Sequence, residues 1–203
     1  MGDMRSGKSK KRQVLPAPAR QKMILDAALD EFARFGYDEC NVDAIAEKAE
    51  IGKGTIYRQY PSKLDLYAAV VKRGHDMLHE KMGQIAHCDC GFDEKTRRGI
   101  KEFVDFFVTN PKYYRVIFVE RPDRRLKLNR MVPHGEEHLA QEIARHITHG
   151  VESGEFRAVD PHFAALSFLA IAKVIIERQI YGRGHSLDAD TRAAADILKG
   201  IHK

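Results

Sequence analysis

From Arg20 onward the apolar residues recur at the spacing of a helical face. Ile24, Leu25, Ala28, Leu29, Phe32 and Phe35 form one stripe, and Gly36 follows where a left-handed C-terminal cap belongs. Asn41 can cap a second, short helix whose inward positions are Val42, Ile45, Ala46 and Ala49. After Glu50-Ile51-Gly52 comes a third short segment, Lys53–Tyr60, stopped by Pro61. Ser62 reads as an N-cap with Asp65 in a capping-box position. It opens a longer fourth helix through Leu64, Leu66, Tyr67, Val70, Val71, Met77, Leu78 and Met82, ending near His87–Gly91. Ile100, Phe103, Phe106 and Phe107 mark a fifth, and Asn110-Pro111 starts a sixth with Tyr113, Tyr114, Ile117 and Phe118. A seventh runs from about His134 to Glu152 and stops at Gly154. Asp160-Pro161, an N-cap followed by proline, opens an eighth over Phe163–Tyr181, and a ninth spans Leu187–Ile201. No segment alternates as a strand does. The pattern predicts an all-α chain of about nine helices.

Composition narrows the class. A chain of 203 residues with 43% hydrophobic content can bury a sizeable core in one or two domains. No apolar run approaches the roughly eighteen residues of a membrane span. The basic N-terminus lacks the apolar segment and small-residue cleavage site of a secretory signal. Three cysteines do not make a disulfide framework. A cytoplasmic location is expected. The formal net charge of +5 lies in Met1–Arg20, where six basic residues face Asp3 alone. The remaining 183 residues hold 28 basic and 28 acidic side chains. Global basicity therefore says little about the folded body, and any nucleic-acid reading has to be made locally.

The third helix makes it. Lys53, Thr55, Tyr57 and Arg58 are donors of the kinds that reach phosphate oxygens and base edges. Lys63 follows at the start of the next helix, where backbone N–H groups also attract phosphate. Gly52 and Gly54 carry no side chain to hold the backbone away from a duplex. Residues 21–86 sum to −2, yet Lys48, Lys53, Arg58 and Lys63 fall in a window with only Glu47 and Glu50. Taken alone, three such helices fit a helix-turn-helix or an ordinary helical hairpin.

At these residues the chain resembles the tetracycline-repressor (TetR) family of transcription regulators. The resemblance is carried by Phe32-Ala33-Arg34-Phe35-Gly36-Tyr37, Val42-Asp43-Ala44-Ile45-Ala46, Ala49-Glu50-Ile51-Gly52-Lys53-Gly54-Thr55-Ile56-Tyr57 and Pro61-Ser62-Lys63-Leu64-Asp65-Leu66-Tyr67. It is close over residues 20–75 and beyond them is one of length and helix layout. Residues 1–19 read from composition as a disordered basic tail ending in a stiff spacer, Pro16-Ala17-Pro18-Ala19. The resemblance implies a helix-turn-helix domain (20–66) and a helical ligand-binding and dimerisation domain (67–203). By position, Thr55 and Tyr57 contact DNA and Lys63 holds a phosphate; Asn41, Lys53, Gly54, Arg58 and Gln59 complete the expected DNA-binding set. Glu50 stands where the family commonly has glycine in the turn, at a strain of about 1 kcal/mol. Gln59 replaces a usual Tyr or His and can pair with adenine or hold a phosphate. Tyr60 replaces a usual Phe as core.

A short recognition helix reads few base pairs, so affinity is expected from two copies on a palindromic operator. The eighth helix has no charged residue from Phe163 to Ala172, and a helix apolar on nearly every side needs cover on nearly every side. A second subunit supplies it if the chain's own core does not. The family's last two helices pair across a dimer, which points to Phe168, Ile171, Ile175, Leu198 and Ile201. The family's middle helices surround a ligand cavity. Aromatic density there, beside groups able to orient a polar atom, selects Phe103, Phe107, Tyr114, Phe118, His138, Glu142 and Phe163 as pocket residues for an apolar small molecule.

His75/His79 and His134/His138 have the i, i+4 spacing of metal-ligand pairs, and His138, Glu142, His146 and His149 fall on one stripe of the seventh helix. His87, Cys88 and Cys90 form a second cluster, but no tetrad is complete. Solvated histidines and reduced thiols are the expectation, with no metal or cofactor. The run Arg121, Arg124, Arg125, Lys127 and Arg130 reads as a solvated face or an anion site. The basic tail reads as a salt-sensitive, nonspecific attachment or a minor-groove arm. An enzyme is not expected: no Glu has His three residues later, and no nucleophile elbow, phosphate loop or dinucleotide fingerprint occurs. A nonspecific DNA-packaging protein would spread its basicity over the body, which the charge distribution denies.

Overall fold

The computed structural model describes residues 16–86, 89, 92–119, 136–182 and 186–198. All but a few turns of this is helix. The elements are α1 (Ala17–Glu39), α2 (Val42–Lys48), α3 (Lys53–Gln59), α4 (Lys63–Ala86), α5 (Phe92–Thr109), α6 (Pro111–Tyr114), α7 (Glu136–Glu152), α8 (Pro161–Ile180) and α9 (Leu187–Leu198). A π-helical turn, Arg115–Val119, continues α6. The tail before residue 16, the Cys88/Cys90 cluster, the basic run 121–130, His134 and Ile201 lie outside the described residues.

Local chemistry explains most boundaries. α1 begins at Ala17, inside the stretch expected to be a stiff spacer. Proline is tolerated in a first helical turn, and the Arg20 N–H already donates to the Pro16 carbonyl (3.0 Å). The helical geometry breaks at Gly36, whose φ of 74° suits glycine alone, and Tyr37–Glu39 add one more turn. Asn41 caps α2 by accepting from the Asp43 N–H at 2.8 Å. At the turn between α2 and α3, Glu50 takes φ 54°, the one non-glycine residue with positive φ among those described. The Ser62 capping box forms in full: the Ser62 N–H donates to Asp65 Oδ2 (3.0 Å) and the Asp65 N–H to Ser62 Oγ (3.1 Å). Asp160 caps α8 through the N–H groups of His162 and Phe163, each at 2.9 Å.

Two bodies share one core. α1 packs on α2 and α4, and α2 on α3, around Ile24, Phe32, Ile45, Ile56 and Leu66. In the second body α8 packs on α5, α7 and α9, and α5 also meets α4 and α9. A smaller apolar cluster of Ile147, Phe156, Ala164 and Ala165 joins α7 to α8, with Phe156 folded over Gly150. α4 belongs to both bodies.

Polar contacts tie the bodies at the joint. Arg73 donates to the Tyr113 hydroxyl (2.6 Å) and to Asp26 (2.8 Å), linking α4, α6 and α1. Asp30 on α1 holds Lys48 of α2 and Lys112 of α6. Burial opposes ionisation of both carboxyls, but the hydrogen bonds from Lys22 and Arg73 to Asp26, and from Lys112 and Lys48 to Asp30, outweigh it and hold them below the usual carboxylate range. Gly74 lets α4 lie against Tyr113, since a Cβ there would sit 2.5 Å from the ring. The buried Tyr67 hydroxyl donates to the Val116 carbonyl (2.6 Å) within the π turn, satisfying a carbonyl beside the widened coil.

Candidate nucleic-acid interface

The α3 surface follows from which residues the fold needs. Ile56 is buried, and Ile51 and Tyr60 pack beside it, so the rest of this short helix faces outward. Lys53, Gly54, Tyr57, Arg58 and Gln59 are exposed and Thr55 is half-buried. No atom outside the local backbone lies within 4 Å of where a Cβ on Gly52 or Gly54 would stand. The backbone at the start of α3 is therefore open to close approach by another molecule. Asn41 also lies on the surface, its side chain engaged as the α2 cap.

The basic window reads differently once partners are known. Lys48 pairs with Asp30 (2.6 Å) and Lys53 with Asp43 (2.8 Å). Lys63 donates to the Asp38 carbonyl (2.9 Å) and lies 5.0 Å from the centre of the Tyr37 ring. Of the four, Lys63 and Arg58 make no ion pair among the described residues, Lys63 being held by a carbonyl instead. The hydrogen bond to Asp43 raises the pKa of the Lys53 amine, which is also 6.0 Å from the Tyr57 ring centre. The face is thus a mixed polar surface on which Tyr57, Arg58 and Gln59 are presented. Exposed pairs of this kind exchange partners at little cost, since each contributes only about 0–1 kcal/mol.

The residues expected to line a pocket fall into three places. Phe103, Phe107, Tyr114 and Phe118 are buried and meet edge to face or tilted, with ring centres 5.1–6.2 Å apart. The Tyr114 hydroxyl donates to Glu177 of α8 at 2.7 Å. Phe163 is on the outside, 71% exposed. His138 and Glu142 face α4 instead, where Glu142 meets His75 at 2.9 Å.

The residues expected at a dimer interface divide as well. Ile175 is in the chain's own core, and Phe168 and Ile171 are partly buried, with Phe168 meeting Phe103 edge to face at 5.4 Å between ring centres. Leu198 ends α9. The outward apolar stripe of α8 is Phe163, Leu166, Ala170 and Val174, at spacings of three and four residues. α9 carries a matching outward row, Ala189, Ala193 and Ile197. Of these only Phe163 figured among the residues selected from sequence, and there as a pocket residue. Nothing in the evenly apolar sequence of α8 separated these positions from the buried ones.

Comparison with known proteins agrees with this architecture. Residues 24–70 match the family described as bacterial regulatory proteins, tetR family. Over 113 residues the chain is 31% identical to the HTH-type transcriptional activator FasR of Mycolicibacterium smegmatis, covering 56% of this chain and 52% of FasR. The fold is similar to a TetR-like transcriptional regulator from Rhodococcus sp. RHA1, with TM-score 0.72 and 25% identity over 92% of this chain and 98% of that one. It is also similar to Bacillus subtilis FadR in complex with stearoyl-CoA, with TM-score 0.74 and 20% identity over 89% and 99% of the two chains.

Proposed function

Because the chain belongs to the tetR family of bacterial transcription regulators, we propose that it acts as a homodimeric repressor that reads a palindromic operator and is released by a small molecule. The observation that carries the reading is the α3 surface, whose outward residues leave its backbone clear while Ile56 anchors it. Inserted in the major groove, α3 would offer Thr55, Tyr57, Arg58 and Gln59 to base edges and phosphates. Lys63 and Lys53 would exchange their present partners for phosphate oxygens. Asn41 would approach the backbone beside them.

Two copies are needed for affinity, and the outward stripes of α8 and α9 support pairing through these helices. Val174 and Ile197 are 58% and 65% exposed in the single chain, and a wholly intramolecular helix has no use for such surface. Alanines at 170, 189 and 193 permit close helix approach. The expected apolar ligand, beside Phe103, Phe107, Tyr114 and Phe118, is supported by the stearoyl-CoA complex of the similar FadR fold. Ligand entry would separate rings now in contact and move α4, and the reading unit with it.

Nuclease footprinting with purified protein tests the reading. Protection of one palindromic segment, reduced by an apolar acyl ligand, supports it. Uniform weak protection at any sequence contradicts it. Size-exclusion chromatography with light scattering gives the oligomeric state, and a monomer at micromolar concentration removes the dimer.

A further inference from the structure

A second polar assembly lies away from α3. α4 and α7 are not closely packed along their backbones, and between them is a cleft of about 420 Å³. It is lined by His75, Asp76, His79, Glu80, His138 and Glu142. Every lining side chain is ionisable, which is not the lining of an apolar ligand pocket. His75 is only 6% exposed, and its Nε2 lies 2.9 Å from Glu142 Oε2. Glu142 Oε1 lies 3.6 Å from His138 Nε2, and the two imidazole rings are 5.0 Å apart between centres. The three side chains offer one donor atom each within 4.8 Å of one another.

These distances have a chemical meaning. Zinc with nitrogen and oxygen donors at about 2.0–2.1 Å, in tetrahedral geometry, separates neighbouring donors by roughly 3.3 Å. The observed 2.9 Å (His75 Nε2 to Glu142 Oε2) and 3.6 Å (His138 Nε2 to Glu142 Oε1) run to the two oxygens of one carboxylate and lie on either side of that edge. Two imidazoles and one carboxylate select transition-metal ions over calcium or magnesium, which prefer all-oxygen sets. Three protein donors leave a coordination position for water or a fourth ligand, and His79 lines the same cleft. Neighbouring charges do not block the site. Arg145 approaches Glu142 at 3.6 Å, but its side chain is mostly in solvent and free to swing away, and Lys72 holds Asp76.

We infer that His75, His138 and Glu142 form a site for a divalent transition-metal ion of the zinc class, which bridges α4 and α7. His138 and Glu142 have the i, i+4 register that points two side chains of α7 to one face, and the third donor, His75, comes from the facing α4. The ion would fix the separation of two helices whose backbones are not closely packed. Since α4 begins in the reading unit, occupancy changes the setting of α3. This last consequence rests on the DNA-binding reading; ion binding itself does not.

Equilibrium dialysis of chelator-stripped protein against zinc, with elemental analysis, tests the site without DNA. One ion per chain is expected, resisting a competing chelator. Glu142→Gln preserves a hydrogen bond to His75 but removes the anionic donor, and His138→Ala removes a nitrogen. Each should weaken uptake by more than about tenfold while melting without zinc stays cooperative. His149→Ala and His162→Ala should leave uptake unchanged. No ion bound, or unchanged uptake in both Glu142→Gln and His138→Ala, overturns the site. Operator affinity is then measured with and without zinc in wild type and Glu142→Gln. A zinc effect of threefold or more in wild type, lost in Glu142→Gln, supports coupling. Equal affinities in wild type with the site filled overturn it. Failure of the DNA reading itself shows separately, as absence of any sequence-preferring binding.

Discussion

The three-helix reading unit and the helical body solve opposite surface problems. The reading unit turns a polar face outward and holds most of its cations on its own acids and carbonyls: Lys48 on Asp30, Lys53 on Asp43, Lys63 on the Asp38 carbonyl. The body turns apolar side chains outward along α8 and α9. The first arrangement keeps a neutral domain soluble and leaves its contacts exchangeable. The second leaves apolar surface open to a partner. The proposed reading gives the first face to DNA and the second to another copy of the chain.

Charging the apolar face breaks the contrast most strongly. Val174→Asp, at an exposed position of the free chain, leaves the monomer folded but buries an uncompensated carboxylate in a dimer. Sedimentation should show a monomer, and operator affinity should fall by about a hundredfold or more, as expected when a penalty of roughly 3–5 kcal/mol is placed on pairing. Tyr57→Ala acts on the other face. It should reduce operator affinity by about tenfold, in line with loss of a contact of 1–3 kcal/mol, with the dimer and melting temperature unchanged. Fluorescence anisotropy and calorimetry report the two quantities separately.

The joint between the regions gives the next effect. Gly74→Ala brings a methyl to 2.5 Å from the Tyr113 ring and should destabilise the protein by about 1–3 kcal/mol, read from urea unfolding. Asp30→Asn gives the smallest. A carboxyl whose folded pKa is depressed contributes stability above its ordinary value of about 3.9, and loses it as pH falls through the folded value. The variant should therefore be less stable than wild type near neutral pH by about 1 kcal/mol, and the two should converge below the usual carboxylate range. A difference that persists unchanged in acid would mean Asp30 contributes by packing rather than charge.

How much could be read from sequence differs between the regions for the same reason. In the reading unit the informative residues are close in the chain. The Ser62/Asp65 box and the Asn41 cap are local events at residues whose types favour them. Gly36 breaks the helical geometry, although α1 runs on to Glu39, and the positive φ of Glu50 was legible only through the family resemblance. Helix count and class followed from apolar spacing in both regions. The body's polar sites are built across long separations: His75 meets Glu142 across 67 positions, and Tyr114 meets Glu177 across 63. Spacing paired His75 with His79, but nothing in one helix showed that α7 would bring His138 and Glu142 to the same cleft. The outward face of α8 was hidden for a related reason. An evenly apolar helix has no polar side to mark the direction of solvent, so Ile175 and Val174 looked alike until the fold buried one and exposed the other. The π turn at Arg115–Val119 has no sequence signal comparable to a cap, because it depends on Tyr67 supplying a hydrogen bond from another helix.

Binding-site selection from fragmented genomic DNA, followed by footprinting of the enriched fragments, tests the central claim most directly. A dimer reading through α3 predicts one enriched palindrome with two protected half-sites separated by about one helical turn or a multiple of it, and loss of that enrichment with Tyr57→Ala. Enrichment without a repeated half-site, or a footprint that Tyr57→Ala leaves intact, would contradict the assignment of sequence reading to α3.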